Sequence, residues 1–273
     1  MAPQETSGRQ VVCIKWGTLY PPHYVNRLYG MVSRHLAPPF RFTCFTERPE
    51  GIRPEVDVQP LPDLGARVPA SPGQWGKSRL WAERLADLHG PFLFIDLDCV
   101  ILGDLAPFFG HGSPDEVILA RNPNTPFERL GQTSVYRAPV GKLAPLRERF
   151  LADPLGTQAQ YRFEQRFVTR LAPDGVRFWP RGWVVHYRQH CRPAFPLNYL
   201  RDPAPPKGAR IVIFAGSMNP PDAIAGQRFP QMPVAGPADH LRATFDGRRR
   251  DGLFRHLRGY TRPAAWIEEA WRE

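Results

Sequence analysis

The stretch PFLFIDLDCVILGDL, residues 91–105, is apolar enough for a protein interior, yet it carries Asp96 and Asp98 near its middle. Its apolar run does not alternate with polar residues, which is typical of a strand buried on both faces in a parallel sheet. The run also follows a helical pattern, as in a β–α–β unit. The stretch therefore predicts a buried strand that runs out into its loop at the two aspartates.

The flanking sequence continues the alternation of strand and helix patterns. Strands are predicted at 10–16, 40–46, 56–60, 117–121, 133–137 and 210–215, and within VRFWP and WVVHY. Helices are predicted in HYVNRLYGMVSRHLA, from Lys77 to Leu88, in KLAPLRERFLA and in YRFEQRFVTRLA. The order predicts an α/β fold with a mostly parallel central sheet flanked by helices. We expect a flexible N-terminus at 1–9, a single domain at 10–225, and a basic tail at 226–273 that packs on it.

The composition is that of a globular protein with an excess of positive charge. The 273 residues include 36 Lys and Arg against 26 Asp and Glu, for a net charge of +10. This excess indicates anionic partners such as nucleotides, phospholipid headgroups or nucleic acid, and charge alone does not choose among them.

The cysteines and the N-terminus indicate a cytoplasmic protein. The four cysteines are widely spaced, and three of them lie in apolar, strand-like runs, which predicts buried, reduced thiols. The first residues lack the pattern of a signal peptide, and no run of about 18 apolar residues occurs. We therefore expect any membrane contact to be peripheral.

Two aspartates one residue apart suit a divalent cation. On a strand, side chains at i and i+2 point to the same side, about 6.6 Å apart at their Cα atoms. Without a cation the two carboxylates would repel each other, and Mg²⁺ or Mn²⁺ would remove that conflict while keeping waters and substrate phosphates as further ligands. In open α/β sheets, ligands also gather at the carboxyl ends of the strands. The alternative is that one aspartate caps a turn and the other meets a basic side chain.

The sequence resembles bacterial glycosyltransferases of the nucleotide-sugar-binding GT-A fold, in the glycogenin-like and lipopolysaccharide galactosyltransferase group. The similarity spans roughly residues 10–225. It is carried by FLFIDLDCVILGDL, CIKWGTLYPPHYVNRLYGMVSRHL, WGKSRLW, GQTSVY, EQRFV and IVIFAGSMNPPDA, in that order. The resemblance implies transfer of a sugar from a nucleotide donor, expected to be UDP-linked, to a hydroxyl of a glycan or lipid-linked acceptor, with retention of configuration.

The resemblance also implies a set of site residues. Asp96 and Asp98 would hold Mn²⁺ or Mg²⁺, and Asp96 would approach the ribose. The nucleotide would lie at the ends of the first two strands, at Lys15, Trp16, Gly17, Thr46 and Glu47, with Tyr20 or Tyr24 stacked on the base. As alternatives, Trp16 is a core residue and Glu47 a solvated loop residue.

Further candidates lie downstream. Lys77 does not belong to a phosphate-binding loop, because Gly73 and Gly76 are separated by two residues instead of four. It is retained as a cation at a helix start, where anions are favoured, with a surface lysine as the alternative. By resemblance, Gln132, Thr133 and Ser134 contact the donor sugar, although a turn would also explain them. Glu164 and Gln165 match an acidic-plus-Gln pair that faces the reacting sugar, against the alternative of solvated helix residues.

The late part of the chain departs from the family pattern. His186 and His190 lack the further ligands of a zinc site and are predicted to line the acceptor cleft or to pack as ordinary histidines. Relatives carry a metal-binding His and a diphosphate-binding Lys on the late strand, but here Phe214 and Ala215 precede Gly216, and Ser217 and Asn219 follow. Gly216 still permits close approach to a phosphate. The departure predicts weaker metal binding, more water ligands or altered activity.

Two other functions fit parts of the sequence. DLDCV also satisfies the D-x-D-x-V pattern of haloacid-dehalogenase-type phosphatases, with Asp96 as nucleophile and Asp98 as acid/base. The Arg-rich tail, with Arg248, Arg249 and Arg250 near Phe254 and Tyr260, could bind nucleic acid or an anionic membrane. No nucleic-acid motif accompanies it, so we expect no nucleic acid and favour peripheral contact with an anionic membrane.

Overall fold

The computed structural model describes residues 8–65, 75–125, 127–214, 216, 218–227, 236–245 and 252–273. The chain forms two compact units. The first contains the residues up to Leu97, Asp104–Arg181 and Glu273, and the second contains Asp98–Gly103 and Gly182–Arg272. The second unit therefore takes up a short piece from the middle of the chain. Whether residues 10–225 act as one domain with a tail stays a prediction.

A seven-stranded sheet forms the centre of the first unit. In chain order its strands are β1 (Arg9–Lys15), β2 (Phe40–Thr46), β3 (Asp57–Pro60), β4 (Pro91–Ile95), β6 (Ile118–Arg121), β7 (Gly131–Pro139) and β8 (Arg177–Phe178), with β5 in the second unit. The spatial order is β3-β2-β1-β4-β7-β6-β8. β7 runs antiparallel to both of its neighbours, and the other pairs are parallel. The predicted α/β fold with a mostly parallel sheet is confirmed.

Helices of the first unit cover this sheet and complete its core. They are α1 (His23–His35), a 3₁₀ helix (Trp75–Trp81), α2 (Ala106–Gly110), α3 (Ala144–Ala152), α4 (Pro154–Tyr161) and α5 (Glu164–Leu171). The 3₁₀ helix, α3 and α5 contribute Trp75, Phe150 and Phe167 to one core cluster, where the rings of Trp75 and Phe150 stack with centroids 4.7 Å apart. The same cluster contains Phe92 and Phe94 of β4, which fixes the start and end of that strand against the helices.

The predicted helix from Lys77 to Leu88 is wrong in type and extent. The chain forms a 3₁₀ helix over Trp75–Trp81 and then continues without regular structure. Ala86 has φ +48°, which no helix interior adopts, so the helix cannot continue to Leu88. Leu85 and Leu88 are nevertheless buried. The apolar spacing therefore predicted the burial of Leu85 and Leu88 correctly, but it predicted the wrong secondary structure.

The second unit is built on a three-stranded sheet. Its strands are β5 (Val100–Ile101), β9 (Val184–His186) and β10 (Ile211–Ile213), in the order β5-β10-β9. A π-helical turn (Tyr187–Cys191) follows β9, and a 3₁₀ turn lies at Leu197–Tyr199. The remaining helices are α6 (Pro220–Ala225), α7 (Pro237–Arg242), α8 (Leu253–Gly259) and α9 (Ala265–Ala270).

The C-terminal helices are tied to the preceding segment of the second unit. The Arg192 guanidinium donates to the carbonyl oxygens of Arg258, Gly259 and Tyr260, at the C-terminal end of α8. The Trp266 indole donates to the Pro203 carbonyl at 2.9 Å. Arg248, Arg249 and Arg250 lie outside the described residues. Among the residues that are described, no helix is both long and apolar enough to cross a bilayer.

Candidate functional site

An ion pair lies at the carboxyl end of β4. β4 ends at Ile95, and the Asp96 amide donates to the Ser134 carbonyl at 2.8 Å, which continues the β4–β7 pairing. The Lys77 ammonium lies 2.6 Å from Asp96 Oδ2, and the two side chains are 7% and 18% exposed. Burial raises the pKa of the Asp96 carboxyl, and the charge of Lys77 opposes that rise. Lys77, predicted as a cation for anions at a helix start, thus neutralises Asp96 in this structure.

A second polar pair lies beside the first. Glu164 begins α5 and is 4% exposed, and its Oε1 accepts a hydrogen bond of 2.6 Å from the Thr133 hydroxyl. The Lys77 ammonium also reaches the Thr133 carbonyl oxygen, at 3.5 Å. We call Lys77, Asp96, Thr133 and Glu164 the β4 cluster. The fold brings together four residues that are far apart in the sequence.

Gln165, the other predicted catalytic residue, follows Glu164 on α5 and is half-buried. Its backbone carbonyl accepts from the Thr169 hydroxyl at 2.6 Å, and its side-chain amide has no hydrogen-bond partner in the part of the chain that the structure describes. The catalytic role of Gln165 stays a prediction.

Gln132 and Ser134 are buried in β7 and bind each other. The Gln132 amide donates to the Ser134 hydroxyl, and Gln132 Oε1 accepts from the Ser134 backbone N–H at 2.7 Å. The alternative of a turn is wrong, because both residues lie within Gly131–Pro139. Their contact with a donor sugar stays a prediction.

The ends of β1 and β2 carry the predicted nucleotide-binding residues. Lys15 ends β1 at 4% exposure, and no carboxylate among the described residues forms an ion pair with it. Gly17 has φ +63°, and its amide donates to Glu47 Oε1 at 2.7 Å, which links the loops after the two strands. Thr46 is buried, and its hydroxyl accepts from the Arg48 amide at 3.1 Å.

The aromatic candidates of the first unit are partly covered. Trp16 is half-buried against the core, and Gly76 lies so close that a Cβ there would be 3.1 Å from two ring atoms of Trp16. Tyr24 is 7% exposed in the first turn of α1, with its ring 4.8 Å from the Tyr20 ring. Tyr20 is the more exposed of the two tyrosines, so it is the better placed to meet a base.

Tyr136 was not among the predicted site residues. Its ring stacks on Phe94 at 4.8 Å, and its buried hydroxyl has no hydrogen-bond partner among the described residues. Burial raises the pKa of this hydroxyl, and the nearby carboxylates of Asp96 and Glu164 raise it further. The signal was present in the sequence, because Tyr136 and Ser134 alternate along β7 and so point to the same face of the sheet.

The second unit contains the remaining candidates. Asp98 lies in the turn that follows β4. The expectation that Asp96 and Asp98 share one strand is therefore wrong. Gly216 has φ +91°, and the nearest atom to a Cβ built there would be a guanidinium nitrogen of Arg188, at 3.9 Å. Ala215 and Ser217 lie outside the described residues.

His186 ends β9 and is 3% exposed. Its Nδ1 accepts from the Arg188 amide at 3.1 Å, so the neutral ring carries its proton on Nε2, which has no partner among the described residues. Burial, together with the charges of Arg188 and His190, lowers the pKa of His186 to about 4. His186 is therefore a neutral N–H donor.

Asn219, in the segment where the resemblance implies a diphosphate-binding lysine, has a structural task. It is the N-cap of α6, in a capping box with Asp222 whose carboxylate accepts from the Asn219 amide at 2.8 Å. The sequence at this point is therefore consistent with helix initiation.

Asp96 and Asp98 would bind a divalent cation only together with further ligands. Among the described residues, no group of three or more His, Cys, Asp or Glu side chains gathers as a metal site. Asp96 already accepts from Lys77, and position 215 is an alanine. Mg²⁺ and Mn²⁺ accept one or two protein carboxylates completed by water and substrate phosphates, so this donor set fits a substrate-completed site.

Comparison with known proteins gives the fold a family context. No protein-family model and no curated protein matches the sequence. Among solved structures, the galactosyltransferase LgtC in complex with donor and acceptor sugar analogs is 13% identical, with a TM-score of 0.51 over 77% of this chain and 88% of that one. A second LgtC structure, an active-site mutant with glutamine replaced by glutamate, has a TM-score of 0.54 at 12% identity, over 77% of this chain and 89% of that one.

Two further structures give similar values. The WbbM bifunctional glycosyltransferase has a TM-score of 0.51 at 13% identity, and the glycosyltransferase GlyE in Streptococcus pneumoniae TIGR4 has 0.52 at 12%. The similarity covers 81% and 78% of this chain, and 48% and 56% of those proteins. This chain thus has the fold of GT-A glycosyltransferases, as the resemblance implied.

Proposed function

We propose that this protein is a glycosyltransferase that moves a sugar from a nucleotide-sugar donor, UDP-linked, to a hydroxyl of a glycan or lipid-linked acceptor. The observation that carries the proposal is the β4 cluster, in which Lys77, Asp96, Thr133 and Glu164 meet at the carboxyl end of a central strand. In open α/β sheets this edge is where ligands bind. A buried cation and two buried carboxylates cost free energy there, which a structural role alone does not explain.

In this proposal the nucleotide occupies the ends of β1 and β2. Lys15 supplies a positive charge for the diphosphate, Trp16 and Tyr20 border the base, and Gly17 allows close approach of the backbone. Thr46 and Glu47 border the nucleoside, with Tyr24 supporting Tyr20 from α1. The partial exposure of Trp16, Gly17 and Tyr20 and the absence of an ion-pair partner for Lys15 within the described ranges support these roles.

Asp96 and Asp98 are the residues proposed to hold Mn²⁺ or Mg²⁺. When bound, such an ion neutralises charge on the departing nucleoside diphosphate. Lys77 already binds Asp96, so a cation held by both carboxylates would share Asp96 with Lys77. Lys77 fixes the orientation of Asp96 and lowers the cost of keeping it ionised.

The transfer step uses groups beside the β4 cluster. The bond between the anomeric carbon and the diphosphate oxygen breaks, the acceptor oxygen bonds to the same carbon from the same face, and its proton passes to the departing diphosphate. Gln165 and Glu164 orient and polarise the sugar, and Gln132 and Ser134 border it. The active-site glutamine of LgtC supports this role for Gln165 by analogy. The substrate contacts of His186 and Gly216, which lie in the second unit, stay predictions from the sequence.

Peripheral membrane contact in the cytoplasm is a separate proposal. The described C-terminal residues expose apolar side chains together with arginines, including Phe245 and Phe254 beside Arg242 and Arg255. Basic and apolar side chains together favour an anionic bilayer. Liposome binding that falls with salt and disappears on truncation near Asp239 would support this; binding that is unchanged by truncation would contradict it.

A thermal-shift screen of nucleotide sugars with and without Mn²⁺ tests the main proposal, because a ligand that binds the folded state raises Tm. We expect stabilisation that needs both nucleotide and metal and disappears in Asp98→Ala. Indifference to every nucleotide would contradict the proposal. A trapped aspartyl phosphate at Asp96 would instead identify a phosphatase.

A further inference from the structure

A groove of about 410 Å³ runs along the outer edge of the sheet in the first unit. Its walls include Phe178 of the edge strand β8 and two arginines, Arg121 at the end of β6 and Arg129 before β7. The guanidinium carbons of Arg121 and Arg129 lie 4.5 and 5.0 Å from the centroid of the same Phe178 ring. Two like charges are thus held at one aromatic side chain by cation–π contacts.

The charges in the groove are unequally neutralised. Arg177 pairs with Glu116 at 3.2 Å, and Lys142 pairs with Asp174 at 2.6 Å. Asp115 adds a third carboxylate to the lining. Across the described ranges, no carboxylate forms an ion pair with Arg121 or with Arg129. Positive charge is therefore concentrated at the Phe178 end of the groove.

This end of the groove is close in the sheet to the β4 cluster. Arg121 pairs with Gly131 in the β6–β7 ladder, and Gln132 and Thr133 follow directly on β7. Both the groove and the cluster belong to the first unit. Arg121, at the carboxyl end of β6, therefore lies at the same end of the sheet as the carboxyl end of β4, two strands away.

We propose that Arg121 and Arg129 bind an anionic group, a phosphate or a carboxylate, on the acceptor glycan. Guanidinium groups bind both oxyanions through paired N–H donors. Arg129 Nη2 donates to the Val176 carbonyl oxygen at 2.7 Å, and among the described residues the two guanidinium groups make no other hydrogen bond. This inference rests on the proposed glycosyltransferase function, which it extends by naming the acceptor class as anionic sugar chains.

Binding is tested first without a donor, by calorimetry with trigalacturonic acid, glucose 6-phosphate and neutral maltotriose. The wild-type protein should bind at least one anionic sugar at least about tenfold more tightly than maltotriose, and which sugar it prefers separates carboxylate from phosphate. Arg121→Gln/Arg129→Gln should lose that preference, and Phe178→Leu should weaken it. Arg121→Gln alone keeps the hydrogen bond of Arg129 to the Val176 carbonyl and should also weaken binding of the anionic sugar. Arg84→Gln, at another exposed arginine, should change nothing.

Equal affinity for neutral and anionic sugars, or unchanged binding in the double variant, would overturn the inference. Release of nucleoside diphosphate from the donor should persist in the double variant, while transfer to the anionic acceptor falls. If the wild type releases no nucleoside diphosphate from any donor, the proposed function fails. If it releases nucleoside diphosphate yet prefers no anionic sugar, only the acceptor inference fails.

Discussion

The carboxyl ends of β4 and β10 differ in how their polar groups are used. At β4, Asp96 forms an ion pair with Lys77, and the neighbouring Thr133 hydroxyl donates to Glu164. These charged side chains are thus largely buried and held in place by the fold. At β10, the apolar Phe214 follows the strand, and Asn219 caps the next helix. Burial of paired charge at β4 supports the proposed site there, whereas Asn219 after β10 is explained by its role as a helix cap.

Asp98→Asn should give the largest effect, because it removes one of the two carboxylates proposed to hold the metal. We expect donor cleavage in the presence of Mn²⁺ to fall by roughly a thousandfold, about 4 kcal/mol. Asp239→Asn, at an exposed aspartate of the same unit, is the control and should keep full activity. Equal activity of the two variants would remove Asp98 from the site.

Lys77→Met should destabilise the protein by about 3 kcal/mol, because it leaves Asp96 buried without its cation. The double variant Lys77→Met/Asp96→Asn should recover most of that loss in urea unfolding. Lys142→Met is a matched control: its pair with Asp174 is also 2.6 Å long, but the Asp174 side chain is 85% exposed. That variant should cost less than about 1 kcal/mol. Equal costs for both lysines would mean that burial at β4 has no energetic consequence.

His186 should make stability depend on pH. Its folded-state pKa of about 4 lies below the ordinary value of 6.5, so the unfolded chain takes up the proton first. Stability is therefore complete above pH 6.5 and falls as the pH drops towards 4, by about 2 to 3 kcal/mol. His186→Gln should flatten this part of the profile, and the exposed His89→Gln should not. Parallel profiles for His186→Gln and the wild type would refute the assignment.

Thr133→Val should give the smallest effect, since it removes one hydrogen bond to Glu164 and keeps the side-chain volume. We expect a loss of about 1 kcal/mol in the free energy of unfolding, and Thr133→Ser should retain most of the stability. A valine variant as stable as the wild type would show that the hydroxyl does not hold Glu164.

The sequence predicted the strands of the fold better than it predicted the contacts of the site. β1, β2 and β4 are apolar or β-branched runs, so local pattern was enough to find them. The pair of Lys77 with Asp96 could not be predicted, because it depends on the packing of a 3₁₀ helix against β4, 19 residues away. The second unit also includes Asp98–Gly103, and no local pattern in the sequence separates this piece from the residues around it. Neither the ion pair nor the division between the units could be predicted, because both depend on tertiary packing and not on local pattern.

The most direct measurement is NMR of the wild-type protein with Mn²⁺ and a series of UDP-sugars, following release of the nucleoside diphosphate and the configuration of the transferred sugar. We expect cleavage of at least one UDP-sugar, transfer to an acceptor hydroxyl with the configuration retained, and loss of both in Asp98→Asn. Intact donors throughout the series, with a folded protein and Mn²⁺ present, would contradict it.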